Sequence, residues 1–157
     1  MTLHFSYGAN MDRVAMARRC PGAVALGPAI LDGYRFTITA DGYASVAPAS
    51  GDSVHGVLWR LTPRALAALN VFESLDSGLY RRVALVVRIG GKRRRVLVYV
   101  GRARRGRAPG GRPRPGYIET VVRAARADLP RDYIRGLQRF APASWRGKHP
   151  AETGQIA

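Results

Sequence analysis

The chain has 157 residues and a mass of 17.1 kDa, which is the length of one ordinary domain with a hydrophobic core. Hydrophobic residues make up 46% of it and charged residues 23%, values near the globular average that exclude a disordered, collagen-like or coiled-coil chain. The single cysteine, Cys20, excludes an internal disulfide and a cysteine-based zinc cluster and favours a cytoplasmic protein. No apolar run approaches the roughly 20 residues that cross a bilayer, so we expect no membrane partner.

The net charge of +16 arises from 26 basic and 10 acidic side chains, and it is unevenly distributed. Between Lys92 and Arg114 there are ten basic residues and no acidic one. Such a segment attracts nucleic acid or another polyanion in a salt-dependent way. The arginine-rich part after residue 101 has no aromatic side chain to stack on bases, so a solvated loop is the alternative interpretation.

The first twenty residues predict a strand, a tight turn and a helix. Apolar residues alternate from Leu3 to Tyr7 and are followed by Gly8, the pattern of a strand that ends in a turn. Asn10 is a favourable N-cap for a helix that a Pro-Gly pair ends at residue 20.

Residues 23–61 predict β-structure, and the residues after them predict a helix. Short antiparallel strands over residues 23–47 are separated by the turn signals Gly27-Pro28, Asp32-Gly33 and Asp41-Gly42. Residues 54–61 form another strand, after which Thr62 and Pro63 begin a helix that ends near Glu73. The apolar face of this helix consists of Leu66, Leu69 and Phe72.

The second half of the chain predicts a β-hairpin, a loop and two helices. Strands over residues 80–89 and 96–100 are joined across Gly90-Gly91-Lys92. Residues 101–114 predict a mobile loop, Pro115 begins a helix that extends to residue 125, and a second helix spans residues 131–140. We therefore expect a single domain over residues 1–142 and a polar C-terminal tail over residues 143–157.

Most motifs of cofactor and metal chemistry are missing from the sequence. It has no Walker loop, no GxGxxG after a strand, no HExxH and no GxSxG. The histidines His4, His55 and His149 are scattered, and the first two lie in predicted strands, where a structural role fits better than metal ligation. We expect neither a metal nor a cofactor.

Two features can carry chemistry without a cofactor. The segment Tyr7-Gly8-Ala9-Asn10 places small residues at a strand-to-helix transition, where free backbone N–H groups bind an anionic group such as a carboxylate. The alternative is an ordinary capped turn. Glu73 lies where an apolar helix ends, and burial there raises the pKa of a carboxyl group toward that of a general acid/base. The alternative is an ordinary exposed glutamate.

In their order along the chain, these features resemble the gamma-glutamylcyclotransferase-like family. The segment Phe5-Ser6-Tyr7-Gly8-Ala9-Asn10-Met11 resembles the Tyr-Gly-Ser-Asn motif with which the family opens, and Val54-His55-Gly56-Val57-Leu58-Trp59 is similar to a family strand. Glu73, seven residues before Tyr80, resembles the family's glutamate before a tyrosine-containing strand, and Arg114-Pro115-Gly116-Tyr117 resembles a later Pro-x-Tyr segment. The resemblance covers about residues 4–140.

The resemblance implies an α+β fold, a small mixed or antiparallel β-barrel with flanking helices. It also implies a reaction in which a gamma-glutamyl group closes on itself to 5-oxoproline and releases an amine, without a cofactor. Glu73 would then be the catalytic acid/base, and backbone N–H groups of the Tyr7-Gly8-Ala9-Asn10 turn would bind the α-carboxylate of the substrate. The substrate-binding residues would be Tyr7, Gly8, Ala9, Asn10, Tyr80 and Tyr117.

This sequence departs from the family pattern at Ala9, where serine is usual, so the hydroxyl is lost and the backbone N–H is kept. A second hypothesis is a non-catalytic binding module that keeps the barrel and uses the basic segment between Lys92 and Arg114 on nucleic acid or another polyanion. The enzyme hypothesis predicts that Glu73 opens into a pocket lined by Tyr7 and Tyr80, with no arginine paired to it. The sequence does not select among gamma-glutamyl substrates.

Overall fold

The computed structural model describes residues 1–73, 78–102 and 110–148, the last three without their side chains. Five strands and five α-helices form in these residues, with a short 3-10 turn over Ala9–Met11. In chain order they are β1 (Thr2–Ser6), α1 (Arg13–Arg19), β2 (Val24–Ile38), β3 (Ala44–Leu61), α2 (Pro63–Phe72), β4 (Tyr80–Ile89), β5 (Lys92–Gly101), α3 (Tyr117–Ala125), α4 (Arg131–Gln138) and α5 (Ala143–Lys148). None of the described helices is long and apolar enough to cross a membrane.

The strands form a closed barrel in the order β1-β3-β2-β4-β5. Neighbouring strands are antiparallel except where β1 meets β5, which run parallel with His4 opposite Leu97. Side chains such as Phe5 and Val98 fill the interior and are fully buried. This confirms the expected α+β fold, a mixed barrel with helices around it.

The region predicted as several short strands is one long hairpin of β2 and β3. Two of the predicted turn signals instead lie at irregularities in the register, between Ala25 and Gly27 and between Asp32 and Tyr34. Gly27 and Gly33 have φ values of +119° and +79°, so each lets the strand bend without ending. Only the third signal, at residues 41–42, is the turn between the two strands.

Helix α1 begins at a different residue from the one predicted. The side chain of Asp12 accepts a hydrogen bond from the backbone N–H of Ala15 at 2.9 Å, so Asp12 and not Asn10 is the N-cap. Asn10 lies earlier, in the 3-10 turn, and its side chain is buried. Its amide is therefore available to contacts other than capping.

Helix α2 begins as predicted, because the Thr62 hydroxyl accepts from the N–H of Ala65 at 3.1 Å and the helix ends at Phe72. The prediction of its apolar face was wrong at Phe72, whose side chain is 46% exposed. Leu69 is buried as predicted, and Ala65 is the other buried residue of the helix. Helical periodicity places Phe72 near Leu69 but does not show where the core beneath the helix ends.

Residues 143–148, the first part of the expected tail, form α5, and Trp145 packs partly buried against the core. Residues 149–157, including His149, lie outside the described residues. In the predicted loop over residues 101–114, the backbone N–H groups of Gly111 and Arg114 donate to carbonyls of the β2–β3 hairpin, at 3.0 and 3.1 Å. Residues 103–109 of that loop are also outside the described residues.

Candidate active site

A pocket of about 390 Å³ opens where β1 runs into the turn at residues 7–10. Tyr7 follows β1, Glu73 follows α2, Tyr80 begins β4 and Tyr117 begins α3, so the ends of several elements meet there. All seven residues predicted as site residues line this one pocket. Its lining consists of His4, Phe5, Ser6, Tyr7, Gly8, Ala9, Asn10, Arg19, Tyr43, Ala44, Phe72, Glu73, Leu79, Tyr80, Tyr99, Tyr117 and Thr120.

Glu73 is held at the end of α2, where its backbone N–H donates to the carbonyl of Leu69 at 2.9 Å. Its side-chain Oε1 accepts a hydrogen bond from Asn10 Nδ2 at 2.7 Å. Burial raises the pKa of this carboxyl from 4.5 to about 7, against the opposing effects of the Arg19 charge and the Asn10 hydrogen bond. Near neutral pH the group therefore exists in both protonation states, which a group that accepts and returns a proton requires.

The sequence predicts that no arginine is paired to Glu73, but one arginine does act on this carboxylate through its charge. Arg19, from the last turn of α1, lowers the pKa of Glu73 by its charge. It contacts Asn10, whose amide in turn contacts Glu73. The effect of burial is larger than that of the arginine, so the net shift is still upward.

Three tyrosine hydroxyls of the pocket are hydrogen-bonded to the backbone. Tyr7 donates to the carbonyl of Tyr99, and Tyr80 donates to the carbonyl of Ala44 at 2.6 Å. The hydroxyl of Tyr117 accepts from the N–H of Ala44 at 3.2 Å and also interacts with the backbone of Ala9. Burial raises the pKa of all three phenols, so they are neutral hydrogen-bonding groups at physiological pH.

The turn beside these tyrosines leaves little space for a side chain at Gly8. A Cβ atom on Gly8 would lie 3.1 Å from Tyr117 Oη and 3.2 Å from the Cβ of Ala44. A side chain at this position would therefore push Tyr117 away from the turn. The close approach brings a hydroxyl and the backbone N–H groups of the turn to one place in the pocket, which suits a carboxylate.

The described residues contain no group of three His, Cys, Asp or Glu side chains placed to hold a metal ion. His4 lines the pocket, but its Nδ1 lies 3.1 Å from the carbonyl oxygen of Leu97 and burial lowers its pKa to about 4. Its ring is therefore neutral near pH 7. Cys20 is fully buried, and burial raises the pKa of its thiol, so it belongs to the core as the sequence indicated.

The described residues of the basic segment do not form one patch in space. Lys92 and the three arginines after it are exposed at the start of β5, and Gly101 at its other end is about 30 Å away, at roughly 3.3 Å per residue. Beyond that end, Arg102 Nε lies 3.4 Å from the carbonyl oxygen of Tyr80, and the Arg114 guanidinium lies 4.9 Å from the centre of the Tyr43 ring. Arg104, Arg105 and Arg107 are outside the described residues.

Sequence reasoning missed Arg19, Tyr43 and Tyr99 among the pocket residues. Tyr99 reaches the pocket because the barrel closes between β1 and β5, a long-range event that leaves no local pattern. The one available signal for Arg19 was its spacing, since a two-turn helix advances the chain by only about 10 Å and a long arginine side chain can reach back to Asn10.

Comparison with known proteins agrees with this geometry. The family model described as "Gamma-glutamyl cyclotransferase, AIG2-like" matches residues 4–117. The gamma-glutamylcyclotransferases of Bos taurus and Mus musculus are 25% and 26% identical to the chain, and each alignment covers 98% of the chain and 86% of the relative. A solved structure named gamma-glutamyl cyclotransferase superposes with a TM-score of 0.78 at 23% identity, over 99% of this chain and 93% of the other. The chain belongs to the gamma-glutamyl cyclotransferase, AIG2-like family.

Proposed function

We propose that this protein is a cyclotransferase that converts a gamma-glutamyl group to 5-oxoproline and releases an amine or amino acid, with Glu73 as the general acid/base. The observation that carries the proposal is the Glu73 carboxyl itself, which lines the same pocket as the turn at residues 7–10 and has a pKa of about 7. The family membership and the names of its relatives support the reaction type.

The substrate's α-carboxylate binds at the turn. It accepts hydrogen bonds from backbone N–H groups of residues 8–10 and from the O–H of Tyr117, which is left to donate because that oxygen accepts from the backbone. This places the α-ammonium and the gamma-carbonyl carbon of one molecule near Glu73. Because both reacting groups belong to the same substrate, the pocket has only to hold it in a folded, ring-forming geometry.

Glu73 then transfers a proton twice. Its ionised carboxylate takes one proton from the α-ammonium, and the free amine attacks the gamma-carbonyl carbon. As the bond from that carbon to the leaving nitrogen breaks, Glu73 returns the proton to this nitrogen. The second proton that the attacking nitrogen gives up leaves with the amine product, which is protonated near neutral pH.

The hydrogen bonds distinguish the two oxygens of the carboxylate. Oε1 is occupied by Asn10 Nδ2, so Oε2 is the oxygen that exchanges the proton. The Asn10 donor on Oε1 keeps the negative charge partly on that atom and does not compete with the transfer at Oε2.

The test is incubation with a panel of gamma-glutamyl amino acids and gamma-glutamyl amines, with 5-oxoproline measured by mass spectrometry. We expect kcat/KM for an active substrate to rise with pH to a plateau above about pH 7, because Glu73 must be ionised to act as the base. Glu73→Gln should lower kcat by about 10²–10⁴-fold. Asp132→Asn, at a side chain that is 91% exposed, is the control and should keep full activity. Failure of the whole panel, or an active Glu73→Gln protein, would refute the proposal.

A second candidate function is binding of a polyanion such as nucleic acid, as a non-catalytic module. The observation in its favour is the exposed run Lys92, Arg93, Arg94 and Arg95 on β5, with Arg88 directly opposite Arg93 across the hairpin. Heparin is a suitable probe, and its affinity should fall steeply with salt and drop when Arg93 and Arg95 are changed to serine. Affinity that stays unchanged in this double variant contradicts binding at the hairpin.

A further inference from the structure

Arg19 makes two contacts that the proposed reaction does not yet use. Its Nη1 donates to Asn10 Oδ1 at 2.5 Å, and its guanidinium carbon lies 4.0 Å from the centre of the Phe72 ring. Arg19 lines the pocket and is half-buried, whereas its neighbour Arg18 is exposed. Two adjacent arginines on one short helix therefore have different surroundings.

The contact with Arg19 determines which way the Asn10 amide faces. A guanidinium has only hydrogen-bond donors, so the amide atom that faces it must be the oxygen. The amide nitrogen then faces Glu73 Oε1 at 2.7 Å. In a flipped amide, the NH₂ group would face the Arg19 guanidinium, donor against donor, and the carbonyl oxygen would face the Glu73 carboxylate, acceptor against acceptor. Asn10 is only 5% exposed, so its amide cannot bind water instead.

We propose that Arg19 is a positioning residue, which holds the Asn10 amide in one orientation and thereby keeps Glu73 Oε1 occupied and Oε2 directed to the substrate. This inference rests on the proposed function. It also accounts for Phe72, a large apolar side chain left partly exposed next to the catalytic glutamate. Its ring supports the guanidinium by a cation–π contact, so the end of α2 and the end of α1 are joined at the site.

Among the described residues, Arg19 is the cation whose charge acts on Glu73, and this charge favours the ionised carboxylate. The other titratable groups that interact with this carboxylate are neutral near pH 7, and they come from α1 and from the elements packed around the pocket. They are Cys20, Tyr7, Tyr80, Tyr99 and Tyr117. A change at Arg19 should therefore be visible as a change in the titration of Glu73.

The test compares Arg19→Met with the matched control Arg18→Met, which removes the same charge from the adjacent, exposed position. Arg19→Met should move the midpoint of the kcat/KM pH profile to higher pH and lower kcat by about tenfold at pH 7, with a smaller change in KM. Arg19→Lys keeps a donor and a charge and should restore part of both effects. Arg18→Met should match the wild type.

A substrate-free measurement separates this inference from the proposed function. The sequence has only three glutamates, so protein labelled with ¹³C at the glutamate carboxyl carbon gives three side-chain signals, and Glu73→Gln identifies the one of interest. Its titration midpoint should rise in Arg19→Met and in Asn10→Ala, and the double variant should show less than the sum of the two shifts. Equal midpoints in Arg19→Met and Arg18→Met, or fully additive shifts, would overturn the positioning role. A wild-type protein that turns over no substrate but shows these shifts would refute only the cyclotransferase.

Discussion

The raised pKa of Glu73 predicts that this residue, the proposed acid/base, lowers the free energy of unfolding at neutral pH. The folded protein binds a proton at this carboxyl with a pKa of about 7, and the unfolded chain with the ordinary value of 4.5. Between these values the folded state holds the proton more tightly, so the free energy of unfolding falls as pH rises from about 4.5 to about 7 and then levels off. At about 1.4 kcal/mol per pH unit, the burial of the charge costs about 3 kcal/mol above pH 8.

Glu73→Gln should remove this cost while retaining the acceptor for Asn10 Nδ2. We expect the variant to be more stable than the wild type by about 3 kcal/mol at pH 8.5 and by less than about 1 kcal/mol at pH 5. Urea unfolding followed by tryptophan fluorescence at both pH values measures the difference. Asp132→Asn, an exposed charge removal, should change stability little at either pH. If Glu73→Gln gains no more at pH 8.5 than at pH 5, Glu73 does not titrate as the structure indicates.

Three other substitutions test local packing in the pocket and elsewhere in the fold. Gly56→Ala would place a Cβ 2.2 Å from the carbonyl oxygen of Ser6, so it should force β1 from β3 and cost about 3 kcal/mol in urea unfolding. Gly136→Ala, in α4 with open space around the new Cβ, should instead stabilise by about 0.5–1 kcal/mol, and a loss of stability there would contradict an unobstructed helical position. Tyr117→Phe removes the acceptor for the Ala44 N–H and should therefore cost about 1 kcal/mol of stability. It also removes the proposed donor to the α-carboxylate of the substrate and should raise KM about tenfold. An unchanged KM would exclude Tyr117 as that donor.

The parts of the fold that could be predicted from the sequence are those decided by neighbouring residues. The cap at Thr62 and Pro63 depends on a side chain and a backbone N–H three residues apart, and the structure agrees with the prediction. The prediction of turns at Gly27 and Gly33 was wrong, because a glycine with positive φ can either end a strand or bend it. Which occurs depends on whether the partner strand continues, and that is a long-range property.

The same distinction applies to the pocket. The turn at residues 7–10, Glu73, Tyr80 and Tyr117 could be gathered into one pocket because their order along the chain resembles a family, and their catalytic and binding roles remain predictions. The sequence predicts Phe72 on the apolar face of its helix, but its side chain is partly exposed and contacts Arg19. Periodicity shows which side of a helix is apolar, but it does not show which side chain of another helix contacts its end.

The single pairing of His4 with Leu97 that closes the barrel also bears on how the protein folds. It joins strands more than ninety positions apart in the chain, and the hydrogen bond from Tyr7 to the carbonyl of Tyr99 crosses the same seam. Loop-closure entropy makes such contacts slow to form, so the β2–β3 and β4–β5 hairpins can be complete while the pocket does not yet exist. During synthesis on the ribosome, the N-terminal strand has to wait for residues near 100 before its last partner is available. Catalytic activity should therefore return with the slowest phase of refolding, later than most of the β-structure.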